Sequence, residues 1–396
     1  MLLLTLSMML APAPASTASD WPQFRGPNGL AVSADKGLPV TWSKTDGHRW
    51  KVDLPARGVS SPIIVNGIVY ITCSSGNRDD RLHILAYNAK TGDKLWQRQF
   101  AATGSTLCHP MSCMAAPTPV ADETGVYALF ATGDIACINA DGSLRWYRSL
   151  VGDYPTICNQ VGMASSPLLA DGKFIVPMDN AGDSFLAALD LKTGKNLWKT
   201  PRPRDNNWVS PVLRPTGATP EILFPTVSEL VAYDAATGKK LWSHPSRGGQ
   251  IPSPSVVENT LYMPSGGTSA MKYEAGKLSN VWTAAKLSGG MSSPLVYEGA
   301  VYAVNTAGVM NAVDRSTGKA LWNERASGKC SASAIAGDGK IYAFDEKGKT
   351  TVFKAGPVAE VLSTNDLGEE ILGTPAISNG AIYIRTNKAL YCIGSK

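Results

Sequence analysis

The chain has little of what usually betrays a chemistry. It carries four histidines in 396 residues, and three of them, His48, His83 and His244, stand in separate segments without a partner at catalytic spacing. No G-x-S-x-G, H-E-x-x-H or phosphate-loop run occurs, so no nucleophile elbow, zinc-protease helix or nucleotide cradle can be read. Lys and Arg total 37 against 32 Asp and Glu, a net charge of +5, and form no run. That excludes a basic nucleic-acid arm. Beyond residue 18 no apolar stretch approaches the roughly 20 residues of a membrane-spanning helix.

What is present is apolar patterning and turns. Hydrophobic residues make up 44% and charged residues 17%, with 38 glycines and 26 prolines spread along the length, as short strands joined by tight turns require. Leu2 to Leu10 is apolar, and Ala11 to Ala18 is small, with Ser16 and Ala18 fitting a signal-peptidase site. No Lys or Arg precedes this run. We expect a signal peptide over 1–18, an N-terminal extension over 19–47 and one domain over 48–396, in a periplasmic or secreted protein. All seven cysteines follow the cleavage point. Export permits disulfides, and an odd count leaves one thiol unpaired or joined elsewhere.

Self-similarity is the strongest signal. Ala86-Tyr-Asn-Ala-Lys-Thr-Gly92-Asp-Lys-Leu-Trp96 returns at Ala188–Trp198, Ala232–Trp242 and Ala312–Trp322; altered copies end at Trp146 and Trp282, and one at Val352–Val361 has no tryptophan. Before each copy stands Ser-Ser-Pro or a relative, as at Ser60-Ser61-Pro62, Ser165-Ser166-Pro167 and Ser292-Ser293-Pro294, then alternating apolar residues and a tyrosine strand. Eight starts at roughly 40–50-residue spacing match propeller blades. The last unit, Gly373 to Lys396, stops after three strands, and His48–Asp53 reads like the missing fourth. The expected fold is therefore all-β, an eight-bladed β-propeller of four-stranded antiparallel blades closed by an N-terminal strand. Trp50, Trp96, Trp146, Trp198, Trp242, Trp282 and Trp322 are its expected docking side chains.

The Ala, Thr-Gly and Trp positions resemble the quinoprotein-type repeat. Two groups with this repeat imply different functions. Quinoprotein dehydrogenases hold pyrroloquinoline quinone (PQQ) and Ca²⁺ in the funnel; the propeller lipoprotein of the outer-membrane β-barrel assembly machine uses the repeat with no cofactor. The opening Trp21-Pro22-Gln23-Phe24-Arg25-Gly26-Pro27-Asn28-Gly29 is similar to the start of secreted propellers of planctomycete-like bacteria. The chain departs from both functional patterns. It has neither the adjacent cysteines that cover the quinone in the dehydrogenases nor Cys-x-x-Cys-His for haem. Its first cysteine is Cys73, which gives no lipid anchor by the lipoprotein route.

A ligand is expected where the loops between Trp strands and the next Ser-Ser-Pro gather at one mouth. Cys108, His109, Cys113 and Cys158 lie on two such loops. They suggest a disulfide from Cys158 to Cys108 or Cys113, or a soft-metal site. Cys137 and Cys392 stand in the docking-alanine slot, and Cys330 is the candidate free thiol. Arg57, Tyr154, Asn159, Gln160, Arg202, Arg204, Asn207, Trp208, Arg247 and Lys329 are candidates for an anion-attracting funnel; the alternative is a solvated rim neutralised by Asp79, Asp80, Asp179 and Asp183. The expected function is a non-enzymatic binding or scaffold propeller for a protein, peptide or small anionic ligand, with no cofactor, no nucleic acid and no catalytic residue. The alternative is a PQQ- and Ca²⁺-dependent oxidoreductase.

Overall fold

The computed structural model describes residues 20–158, 161–216, 219–246, 250–274 and 276–395. The expected signal peptide lies outside them. They form eight four-stranded antiparallel sheets, here blades 1 to 8, with strands a to d counted outward from the axis. Blade 1 comprises Ile63–Val65, Ile68–Ser75, Arg81–Asn88 and Lys94–Ala101. The short a strands of successive blades touch one another and line the axis. In blade 8, Ala376–Ser378, Ala381–Arg385 and Ala389–Ile393 are completed by His48–Asp53 from the other end of the chain. Trp50 there pairs with Cys392. The ring closes as expected, and no sheet is left with an unfilled outer position. Among the described residues no helix is long and apolar enough to cross a membrane.

The repeat acquires a physical meaning at the blade interfaces. Each d-strand tryptophan pairs across its own sheet with a small residue, as in Ala86↔Trp96, Ala188↔Trp198 and Ala312↔Trp322. Cys137 faces Trp146 in the same register, so it and Cys392 fill the docking-alanine slot. The indole then leans onto the next blade. Trp96 Nε1 donates to Ala140 O at 2.9 Å and Trp146 Nε1 to Leu191 O at 3.0 Å. The ring lies on the glycine of the neighbouring Thr-Gly turn: a Cβ on Gly194 would come within 2.7 Å of Trp146. Gly194 also holds φ at +68°, so this one position needs glycine for conformation and for space. Each buried indole contributes at most about 4–6 kcal/mol of apolar burial.

Trp242 is the exception that the turn sequence explains. In blade 5 Tyr273 stands where other blades have Ala89, Ala140, Leu191, Ala235 or Arg315, and Trp242 stacks on Tyr273 at 5.0 Å and donates to Glu221 instead.

Blade 7 has no tryptophan in its d strand, and the extension supplies one. In five blades the b-strand tyrosine stands 5.8–6.4 Å from the d-strand tryptophan. In blade 7 the equivalent Tyr342 meets Trp42 at 6.3 Å. Trp42 is buried, its backbone N–H donates to Asn365 Oδ1 at 2.8 Å, and Ser43 bridges in parallel to Asp366. The extension is therefore part of the packed ring.

Candidate functional site at the channel mouth

The Ser-Ser-Pro element builds a crown. In seven blades a proline holds the residue before it extended, and in blade 7, where Ala334 follows, Ser333 takes the same place, so that one hydroxyl per blade stands at the axis. Backbone N–H groups link these hydroxyls in order around the ring: Ser61 to Thr118 Oγ1, Thr118 to Ser166 Oγ, Ser166 to Ser210 Oγ and Ser210 to Ser253 Oγ. The series continues from Ser253 to Ser293, from Ser293 to Ser333 and from Ser333 to Thr374. All seven bonds are 2.9–3.0 Å long. The eight side chains are buried and line one cavity of about 470 Å³, within the range of small-molecule sites.

The extension closes this cavity from below. Trp21 exchanges backbone hydrogen bonds with Ile64 of blade 1, and Ala121 N of blade 2 donates to Pro22 O. The chain then crosses the axis. Arg25 donates to Pro254 O, Ser255 Oγ and Pro294 O of blades 5 and 6, at 3.2, 2.8 and 2.7 Å. By Ala31 and Ser33 it pairs with Ala336 of blade 7. Gly26, at φ +65°, lets this turn fold onto Trp21, whose ring a Cβ would meet at 2.4 Å. Phe24 is left as the cavity floor. Arg25 is fully buried with no carboxylate partner among the described residues; burial pushes its guanidinium down to about 9, so it remains a cation at neutral pH.

Above the crown the walls are apolar: Val59, Ala164, Trp208, Ile251, Met291 and Leu372, with His109 and Met111 at one side. Among the described lining residues there is no Asp, Glu, Lys, Arg or Asn. Calcium requires several oxygen ligands, usually including carboxylates, and the carboxylates of PQQ require cationic partners. The described lining does not fit that pair.

The sequence-derived candidates divide. His109 and Trp208 line the cavity, and the Trp208 indole donates to Gly162 O. Arg57 lies beside it, donating to Pro110 O at 2.6 Å. Lys329 is exposed at the rim, where it pairs with Glu346 and approaches Met111 Sδ at 3.8 Å. Arg204 is exposed. Three others are elsewhere. Arg202 is buried, bound by two hydrogen bonds to Asp179 and stacked 3.7 Å over Phe224. Asn207 is buried on the same carboxylate and on Pro225 O. Tyr154 packs against Phe185, with Lys199 over its ring. Arg202 and Asn207 are thereby engaged inside the protein, and none of the three is among the described lining residues. Asn159, Gln160 and Arg247 lie outside the described residues.

All seven cysteines are free thiols, so the structure forms none of the expected bonds among Cys108, Cys113 and Cys158. The two loops meet instead through His109 N and Val161 O, while Cys108 packs at Gly162 and Cys158 binds Asn180. Cys330 is unpaired but buried, its thiol pushed up to about 12, which makes it unreactive rather than an exposed nucleophile. Among the described residues no group of three or more His, Cys, Asp or Glu is placed to hold a metal. His83 is a packing histidine held by Ser75 and Gln97.

The floor and the crown are the features that sequence reading missed. The crown had a signal in the Ser or Thr that precedes a proline in seven of the eight units. The plug had one in a nonapeptide of aromatics, Gly and Pro outside the repeat.

Comparison with known proteins points in two directions. The chain is 24% identical over 238 residues to polyvinylalcohol dehydrogenase of Sphingopyxis sp. (strain 113P3), covering 49% of this chain and 34% of that protein. It is 31% identical over 218 residues to outer membrane protein assembly factor BamB of Burkholderia pseudomallei (strain K96243), covering 54% of this chain and 52% of that protein. The chain thus spans a third to a half of these curated relatives. Its fold is similar to quinohemoprotein alcohol dehydrogenase from Comamonas testosteroni, with a TM-score of 0.70 at 15% identity, over 97% of this chain and 82% of that one. The family model described as outer membrane protein assembly factor BamB matches residues 18–204, 159–246 and 226–395, nearly the whole chain, and the chain belongs to that family.

Proposed function

We propose that this protein is a non-enzymatic, extracytoplasmic scaffold propeller that presents its channel mouth to a polypeptide partner. The observation that carries this reading is the mouth itself: a cup with no Asp, Glu, Lys or Arg among its described lining residues, floored by Phe24, whose loops expose Leu107 (63%) and Ile251 (43%). Exposed apolar side chains converging on a concave face suit protein docking. The family description, a factor in outer membrane protein assembly, supports the same class of function and placement. The dehydrogenase relative supports the second reading, a PQQ-dependent oxidoreductase, against which the missing carboxylates and cations weigh.

A photo-crosslinking side chain at Leu107 or Ile251 is expected to capture a protein partner in cells. The same group at Leu144 or Leu197, exposed on outer strands, is expected to capture little. Capture from the outer strands alone would overturn the assignment of the mouth.

A further inference from the structure

We infer that the channel is a receptor for a carboxylate carried on an apolar chain, with the hydroxyl crown taking the carboxylate and the walls above it taking the chain. This rests on the reading of the mouth as a binding face and names the chemistry it accepts.

A serine or threonine hydroxyl offers one hydrogen and two lone pairs. At Thr118, Ser166, Ser210, Ser253, Ser293, Ser333 and Thr374 a lone pair is already taken by a backbone N–H of the neighbouring blade. None of these seven gives its hydrogen to an acceptor among the described residues. The crown is thus a ring of donors, each at least nine-tenths buried and facing one cavity. Such a ring, in which each hydroxyl keeps its hydrogen and one lone pair, can donate to a compact, acceptor-rich group, and the charge around it selects an anion over a cation.

Charge favours the anion as well. No acidic side chain is among the described lining residues. Arg25 holds its guanidinium against the carbonyls of Pro254 and Pro294, each one residue past a crown serine, and its Nε has no partner. A cation buried there without a carboxylate makes the floor of the channel positive, and in a low-dielectric site that field is felt at short range. Two or more donors of this kind around one carboxylate form charge-assisted hydrogen bonds, about twice as strong as neutral ones. Above the crown, Val59, Trp208, Ile251 and Leu372 present only carbon to whatever bears the carboxylate, apart from the engaged Trp208 indole N–H. One negative charge and an apolar body fit this site. A polyanion does not, since the described lining holds no Lys or Arg and Arg25 supplies a single positive charge beneath it.

The test is calorimetric titration of the purified protein with octanoate, octanamide and octylamine near neutral pH. One octanoate is expected to bind per chain. Octanamide, the same length without the charge, should bind about tenfold or more weaker, equivalent to about 1.4 kcal/mol, and octylamine not measurably. Ala164→Trp fills the cavity from its wall without touching crown or plug; it should abolish octanoate binding while leaving the unfolding midpoint within a few degrees of the parent. A short leucine peptide with a free or an amidated C-terminus separates the two sources of the carboxylate. Preference for the free form at higher affinity than octanoate points to a polypeptide end, and the reverse to a small acid. Equal affinity for octanoate and octanamide, no binding of octanoate at millimolar concentration, or unchanged binding in a folded Ala164→Trp variant would each overturn the inference. Should crosslinking from Leu107 persist in that event, the ligand chemistry fails and the protein-docking reading stands.

Discussion

Replacing Trp42 by alanine is expected to lower stability by about 3–5 kcal/mol, the ordinary cost of deleting a buried tryptophan. For a chain of this length that is roughly a 4–7 °C fall in the unfolding midpoint. Trp42 belongs to no repeat, yet it stands at Tyr342 where other blades carry their own tryptophan. The effect should therefore equal that of Trp322→Ala in blade 6, whose indole holds the same place beside Tyr302. Trp42→Phe should cost less, because the indole N–H is buried without a partner and its removal relieves an unsatisfied donor. Denaturant unfolding of these variants beside Val358→Ala, a 72% exposed control, checks the prediction. If Trp42→Ala unfolds like the control, the extension is a loose appendage and not the eighth anchor.

Asp179→Ala is expected to be about as damaging, costing about 3–5 kcal/mol. The Asp179 carboxylate binds Arg202 Nε at 2.6 Å and Nη2 at 2.8 Å, and also Asn207 Nδ2 at 2.9 Å. The Arg202 side chain is wholly buried. Removing the acid leaves a cation and an amide donor without their shared acceptor. Adding Arg202→Met should restore most of the loss, since an apolar replacement for a buried ion pair is often neutral or stabilising. Equilibrium unfolding of both single variants and the double variant forms the test. This cycle also decides what Arg202 is for. A ligand-binding arginine at an open mouth would leave stability unchanged when replaced.

The contrast between these two sites shows where sequence reading succeeds in this protein. Features that recur around the ring were legible: the Trp strand, the docking alanine with cysteine at Cys137 and Cys392, and the Thr-Gly turn. Each is set by packing within one hairpin and against the next, so its period survives in the chain. His48–Asp53 could be placed because it copies a repeated strand. Trp42 and Arg25 make their contacts across some 230 to 320 positions and repeat nowhere, so no period marks them. Arg202 was misplaced for another reason. A sequence reports that a side chain is positive, but not whether an acid such as Asp179 already neutralises it. Cys158 failed similarly: neighbouring loops do come together, but through backbone at His109 and Val161, and the thiols are not aligned by that contact. The crown fell between these cases, because its serines were visible as a repeat while their donor role depends on bonds between blades.

On the proposed reading the channel is a binding cup whose described lining does not fit a polyanionic quinone and its metal. The most direct measurement is titration of the purified protein with pyrroloquinoline quinone, with and without Ca²⁺, following tryptophan fluorescence and the quinone absorption spectrum. Trp208 lines the cavity and reports occupancy. The account predicts no saturable change in either signal at high micromolar quinone, and no effect of Ca²⁺. Stoichiometric binding strengthened by Ca²⁺ would contradict it and assign the chain to the dehydrogenase side of its relatives.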